Sequence, residues 1–450
     1  MSSEQTTTAD APLLSVENLK THFPVSTGLF RQPGAVKAVD GVSFDLARGE
    51  VFGLVGESGS GKSTLGRSIL QLIQPTAGHV RYRGRDLVPL KENEMRPLRR
   101  ELGLIFQDPH ASLNPAMTIA QGVGHPLRIH GMADSRADAR RQVAAMLERA
   151  GLSPAEQFLD RYPDEISGGQ KQRLVIARAL ITRPRLVVAD EPVAALDMSV
   201  RARVLELMLE LKEELDLTYL FITHDLATAR FMCDRIGILY LGNFVEQGPA
   251  DALFDDPHHP YTRSLLSAIP LPDVERRGRA KNLPRGEIPD ASQPPAGCRF
   301  HPRCPQAFGR CGWQGRDLIE AIEDRWTQVD QDTFERELAL VGELGNATVK
   351  TASVHIPSGE ANSLADWLRQ TGSHLPSPVA TGCTDIVAEG DGVTIHFADG
   401  PEPEAQIIGA RRVACHLYGI TARADGVHVG QPDAKQLADE SVPQPGWRRD

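Results

Sequence analysis

The richest chemistry lies in eight consecutive residues. Gly56-Glu57-Ser58-Gly59-Ser60-Gly61-Lys62-Ser63, with Thr64 next, fits the spacing G-x-x-x-x-G-K-[ST]. Glycines at these points let backbone N–H groups wrap an anion, and the positive end of a following helix adds to the field. Lys62 can reach the β- and γ-phosphates of a nucleotide, and the Ser63 hydroxyl can bind Mg²⁺. The chain holds 9 lysines against 40 arginines. A lysine at this point answers a need for a compact point charge. The competing reading is an ordinary glycine-rich turn. The strand-like run Val51–Val55 before it and the helical run Ser63–Ile73 after it favour the phosphate loop.

A second candidate is Leu186-Val187-Val188-Ala189-Asp190-Glu191, an apolar run ending in two acids. Such a strand is buried on both faces, and ligands of α/β folds bind at its carboxyl end. Asp190 is placed for Mg²⁺ and Glu191 for orienting a water; a capped strand end is the alternative. Ser167-Gly168-Gly169-Gln170 follows Ile166 and opens a helix with Leu174, Ala177 and Ile181 on one side. Ser167 is a good N-cap, so an ordinary helix start competes here. Cys298, Cys304 and Cys311 are spaced C-x₅-C-x₆-C, and Cys415 stands apart. Thiolates suit Zn²⁺ or an iron–sulfur cluster. Structural zinc usually takes tighter C-x₂₋₄-C pairs. Unligated buried thiols are the third reading. Cys233 and Cys383 lie outside the pattern and read as small apolar residues.

These residues need a scaffold. Short apolar runs at Leu13–Leu19, Val51–Val55, Leu102–Phe106, Leu186–Ala189 and Tyr219–Ile222 alternate with helical patterns such as Val200–Leu215. That alternation predicts an α/β fold with a largely parallel sheet. Residues 108–166 carry helical signal, including Ala137–Ala150, with little strand signal. The organisation expected is a frayed segment 1–12, a nucleotide-binding domain 13–270 and a C-terminal region 271–420, then a polar tail 421–450. Residues 271–297 read as linker. Residues 312–410 read as a small α+β insertion, with helix formers over Asp317–Glu343 and strand-like alternation at Ala347–Ile356 and Asp391–Phe397.

Composition narrows the function classes. A length of 450 residues allows two or three domains. The formal charge of -10 argues against a general polyanion-binding surface, and 5% aromatic residues argue against base stacking, so no nucleic-acid partner is expected. No apolar run approaches the roughly 20 residues of a membrane span. The opening MSSEQTTTADAPLL lacks the pattern of a secretory leader. Six cysteines are too few for a disulfide scaffold of this size.

Ile166-Ser167-Gly168-Gly169-Gln170 resembles the LSGGQ signature of ATP-binding-cassette (ABC) ATPases, with Ile for Leu. The phosphate loop and the acid-ended strand stand in that family's order and spacing. The resemblance implies an ABC-type P-loop fold with a helical subdomain, and ATP with Mg²⁺ as ligands. It implies that Gln107 touches Mg²⁺ and senses the transporter, that Asp197 lies at a dimer seam and that His224 is the switch histidine. Ala194 stands where the family has Ser before Asp197. Phe23 takes the place of the aromatic that stacks on adenine; a core Phe is its alternative. In the resembled family two subunits sandwich two ATP molecules, and Ser167–Gln170 of one completes the site of the other.

Further stretches are similar to oligopeptide/dipeptide/nickel importer ATPases. They are Gln107–Pro115, Tyr240–Gly248, His259-Pro260-Tyr261-Thr262-Arg263-Ser264-Leu265-Leu266 and Gly297–Pro305. The likeness spans about residues 12–311 and again 411–418. The insertion before the phosphate loop and Ala38-Val39-Asp40-Gly41-Val42-Ser43-Phe44 resemble the F-type subunit. This implies an ATP hydrolase at the cytoplasmic face of the membrane. Its partners would be a second ABC ATPase subunit, two membrane permease subunits and an extracytoplasmic solute-binding protein. It also implies a [4Fe–4S] cluster on Cys298, Cys304, Cys311 and Cys415, with Zn²⁺ the alternative. The runner-up is a non-transport ABC ATPase of the kind associated with phosphonate carbon–phosphorus lyase. Peptides, nickel and oligosaccharides all stay open as solutes.

Overall fold

The computed structural model describes residues 11–25, 34–268, 284–350, 352–398 and 400–418. The expectations for residues 1–10, for most of the insertion 24–35, for 269–270, for 271–283 of the linker and for the polar tail lie outside these residues. The chain divides into two compact units, Met1–Phe254 and Asp255–Asp450.

The first unit has two sheets. One is antiparallel, in the order Gly34–Leu46, Leu14–Val25, Ala77–Tyr82, Arg85–Asp86. The other places Asn243–Pro249, Arg235–Tyr240, Val51–Val55, Thr218–Thr223, Leu186–Asp190 and Leu102–Ile105 side by side. Five of these strands pair in parallel, and Asn243–Pro249 pairs antiparallel with Arg235–Tyr240. Every residue of Val51–Val55, Leu186–Asp190 and Thr218–Thr223 is buried, as a strand covered on both faces must be. All five apolar runs read from the sequence form strands.

The helix Lys62–Ile69 follows the phosphate loop, and its Leu65 and Ile69 enter a core shared with both sheets. Phe44 stacks on Phe52 at 4.8 Å between ring centres, joining the sheets within that core. Truncating Leu65 to Ala there costs about 2–5 kcal/mol. The helix stops short of the expected Ile73, because Gln71 takes a left-handed φ of 54°. Between the last parallel strand at one edge and the next, residues 109–165 form only helices, notably Ile119–Ile129 and Arg136–Arg149. Thr118 and Ser135 cap them through their hydroxyls. Both helices pack on Gly168–Leu180.

The second unit begins earlier than the expected boundary at 270. The helix Pro260–Ser267, grouped with the nucleotide-binding domain in the sequence, belongs to this unit: the rings of His259 and Tyr261 lie 5.8 and 5.2 Å from that of Phe300. The segment 312–410 is α+β as expected. Helices Gly315–Trp326 and Gln331–Val341 are clamped by Arg325 on Glu337. A four-stranded antiparallel sheet runs Thr348–Lys350, Ser353–Pro357, Gly392–Phe397, Cys383–Glu389. The helix Ala361–Thr371 packs on its last two strands. That helix and the strand Cys383–Glu389 had no counterpart in the sequence reading. A hairpin, Ala405–Ile408 with Arg411–Ala414, leads to Cys415. Among the described residues no helix is long and apolar enough to cross a membrane.

Candidate functional site

The phosphate loop joins a buried strand to a helix, and two of its glycines admit no side chain. A Cβ on Gly56 would stand 2.2 Å from the Leu239 carbonyl oxygen. Gly61 has a φ of +102°, and its Cβ would stand 2.0 Å from the Ala38 oxygen. Lys62 is 4% exposed and lies across its own loop. Its Nζ donates to the carbonyls of Gly56 at 2.8 Å and Glu57 at 2.9 Å. Burial lowers its pKa, and the carboxylates of Glu191, Asp190 and Glu57 act against that. Ser60 is buried, while Ser58 and Gly59 are exposed; Thr64 is half-buried on the helix.

The acid-ended strand meets this loop. Ser63 Oγ donates to Asp190 Oδ1 at 2.8 Å, across 127 residues of sequence. Burial raises the pKa of Asp190, opposed by the Ser63 hydroxyl and by Arg67, whose Nη2 is 3.6 Å away. Arg67 was not singled out in the sequence; its position four residues after Ser63, on the same helix face, was the available signal. Asp190, Ser63 and Gln107 offer the oxygen donors that suit Mg²⁺.

Glu191 takes a strained φ of 47°. That conformation follows the strand end, where its N–H bonds the Ile222 carbonyl at 3.0 Å. Its carboxylate is held from two sides. Gln107 Nε2 donates to Oε2 at 3.1 Å, and His224 Nδ1 lies 3.1 Å from Oε1. The three residues read as catalytic therefore converge, from three different strand ends. A carboxylate so held at the edge of a phosphate site can orient a water and accept its proton.

The other expected residues surround or flank this centre. Ser167 caps Gly168–Leu180, accepting the Gln170 N–H at 3.3 Å while Gln170 Oε1 accepts the Ser167 N–H at 2.9 Å. This capping box fixes an exposed loop at Ser167 and Gly168. A Cβ on Gly169 would meet Val200 Cγ1 at 2.8 Å, so the loop abuts the start of Met198–Leu215. Asp197 caps that helix, accepting from Val200 N–H at 3.1 Å, and this bond holds its carboxyl below the ordinary range. Phe23 sits on the strand Leu14–Val25, 39% exposed.

The profile described as ABC transporter matches residues 39–194, and that of the oligopeptide/dipeptide transporter C-terminal region matches 245–311. The oligopeptide transport ATP-binding protein AppF of Bacillus subtilis is 46% identical over 314 residues, 69% of this chain and 94% of AppF. The oligopeptide transport ATP-binding protein OppF of Escherichia coli is 46% identical over 312 residues, 68% of this chain and 92% of OppF. The chain belongs to the ABC transporter ATP-binding family. It is an ABC-type ATP hydrolase, with ATP and Mg²⁺ as the ligands expected at the loop and acids just described. Neither family profile extends beyond residue 311, so the α+β segment after it lies outside both matches.

That segment starts beside the cysteines. Cys298, Cys304, Cys311 and Cys415 are all buried, and none forms a disulfide. Burial and then the neighbouring thiolates of Cys415 and Cys311 push the Cys298 thiol up; Cys415 is pushed up to about 12, mainly by burial, with Cys304 and Cys311 adding. The four sulfurs thus lie within electrostatic reach of one another. No three of them lie within 4.8 Å of each other; among the described residues only His355, Glu389 and Asp391 do so. A tetrahedral zinc with Zn–S near 2.3 Å needs sulfurs about 4 Å apart. The sulfurs as placed show neither zinc spacing nor a cluster-like arrangement. Cys233 is buried, as a small apolar residue should be, whereas Cys383 is half-exposed. His301 ties this loop to the added segment: its Nδ1 donates to the Cys298 carbonyl at 2.8 Å, and Nε2 lies 3.3 Å from Asp317 Oδ2.

Proposed function

We propose that this ABC ATPase powers a binding-protein-dependent importer of peptides, working at the cytoplasmic face of the cell membrane. One observation carries the reading. A nucleotide-binding profile and an oligopeptide/dipeptide transporter profile occur in order on one chain. A non-transport ABC ATPase, such as a carbon–phosphorus lyase subunit, needs no such transporter region. In this reading the chain is the F-type subunit, paired with a second ATPase subunit. Together they serve two membrane permease subunits and an extracytoplasmic solute-binding protein. The helical residues 109–165, which border Gln107, are the surface offered to the permeases.

In this reading the residues take the following roles, which the geometry of the loop and acids supports and the family resemblance completes. Gly56–Ser63 and Lys62 hold the ATP phosphates, with Thr64 beside them. Ser63, Asp190 and Gln107 hold Mg²⁺, which supplies charge neutralisation at the phosphates. Glu191 positions the attacking water, and Gln107 and His224 position Glu191. Phe23 stacks on adenine. Ser167, Gly168, Gly169 and Gln170 complete the partner subunit's site, with Asp197 at the seam. Affinity purification of the tagged chain from membranes tests the assembly. Two permeases and a second ATPase should come with it. A soluble homodimer with full activity, absent from membranes, contradicts it.

From the family resemblance we further propose that the four buried cysteines, Cys298, Cys304, Cys311 and Cys415, hold a [4Fe–4S] cluster. Anaerobically purified protein should be brown, with about four irons per chain. Cys304→Ser or Cys415→Ser should bleach it and lower the stability of the second unit, leaving nucleotide binding intact. Colourless protein with stoichiometric zinc decides for the alternative ion.

A further inference from the structure

The added α+β segment holds a cavity of about 820 Å³ that none of the nucleotide chemistry uses. Its size suits a small organic molecule rather than a single ion. Arg285 lines it, and Arg285 Nη1 is shielded from water with no hydrogen-bond partner. Ser377 lines it too, and its Oγ is likewise shielded and unpartnered. Neither residue forms an ion pair or other bond to those groups among the described residues. Arg285 is half-buried, and the one N–H group of its guanidinium that is shielded without an acceptor favours an anion beside it. The other cavity arginine, Arg369, is already engaged by Asp366 at 3.0 Å and the Ile386 carbonyl at 2.9 Å.

The opposite charge is present as well. Asp385 lines the same cavity, and its Oδ1 accepts only the Ile386 N–H at 2.8 Å. It has no cationic partner among the described residues. Leu368 and Ile386 form apolar walls, and the floor continues into a smaller cavity of about 30 Å³ among Leu318, Val379 and Phe397. A phosphate would use the arginine but not the acid or the apolar walls. We propose that this cavity binds a small zwitterion with an aliphatic side chain, an α-amino acid or a short peptide. Its carboxylate meets Arg285 and Ser377, its ammonium meets Asp385, and its side chain lies on the apolar wall.

Cys383 provides the readout, because it lines the cavity and is the only described cysteine that is not buried. The experiment follows alkylation of Cys383 by iodoacetamide in the purified full chain, using peptide mass spectrometry. Leucyl-leucine should slow the reaction about tenfold when nine sites in ten are filled, as mass action requires. Leucinamide, which lacks the carboxylate, and inorganic phosphate should leave the rate unchanged. Arg285→Gln should abolish the protection. Ser377→Ala should weaken it, and serves if Arg285→Gln does not fold. Unchanged alkylation of the wild-type chain in leucyl-leucine overturns the proposal. So does equal protection by phosphate, or full protection retained in a folded Arg285→Gln chain. The rate is read on the isolated chain, so its failure leaves the importer reading untouched.

Discussion

Glu191→Gln should slow ATP hydrolysis by about 10²–10⁴-fold while ATP still binds. The substitution keeps the shape of the side chain and removes its ability to take a proton. The wild-type carboxylate receives Gln107 Nε2 at 3.1 Å and stands 3.1 Å from His224 Nδ1. An amide at that point can satisfy one of these neighbours and must turn its NH₂ toward the other. The phosphate loop is not disturbed, because Lys62 and Ser63 find their partners elsewhere, at Gly56, Glu57 and Asp190. Bound ATP without turnover should hold two ATPase subunits closed around it. Phosphate release from the assembled complex and affinity for a fluorescent ATP analogue, measured side by side, check this. Hydrolysis at the wild-type rate removes Glu191 from the role given to it.

Lys62→Ala should act on the other quantity, affinity. Lys62 is the cation buried against the loop, and the carboxylates of Glu57, Asp190 and Glu191 all support its charge. Without it the loop faces the phosphates with backbone N–H groups alone, beside three acids. A charge-assisted hydrogen bond contributes about 1.5–3 kcal/mol, so affinity should fall roughly 10- to 100-fold. Thermal unfolding should show a folded chain, since Lys62 bonds only its own loop. Equal ATP affinity in the folded variant contradicts the phosphate role.

Different parts of the site were legible in the sequence for different physical reasons. The phosphate loop was legible because its backbone forces the residue types. No side chain fits at Gly56 or Gly61, and the strand and helix on either side are local. The parallel strands were legible because burial on both faces removes alternation and leaves continuous apolar runs. The meeting of Gln107, Glu191 and His224 was not legible from residue pattern. Gln107 and Glu191 are 84 residues apart, and only the family resemblance put them in one site. Arg67 was missed because an arginine on an exposed helix face reads as a solvated charge. In the added segment, helix-forming composition over Asp317–Glu343 marked one stretch that the structure divides into Gly315–Trp326 and Gln331–Val341. The strand Cys383–Glu389 was missed because it is largely exposed and lacks an alternating pattern. The cavity beside it is assembled from loop residues near 285 and from 368–386, which sequence pattern does not connect.

The central claim is that ATP hydrolysis by this chain is tied to solute delivery across a membrane. The most direct measurement is the ATPase rate of the membrane-purified assembly in liposomes, with and without its solute-binding protein loaded with peptide. The account predicts a low basal rate that rises when the loaded protein is added, and no rise in the Glu191→Gln assembly. A rate that is already full in the isolated chain, and unchanged by the loaded binding protein, contradicts it.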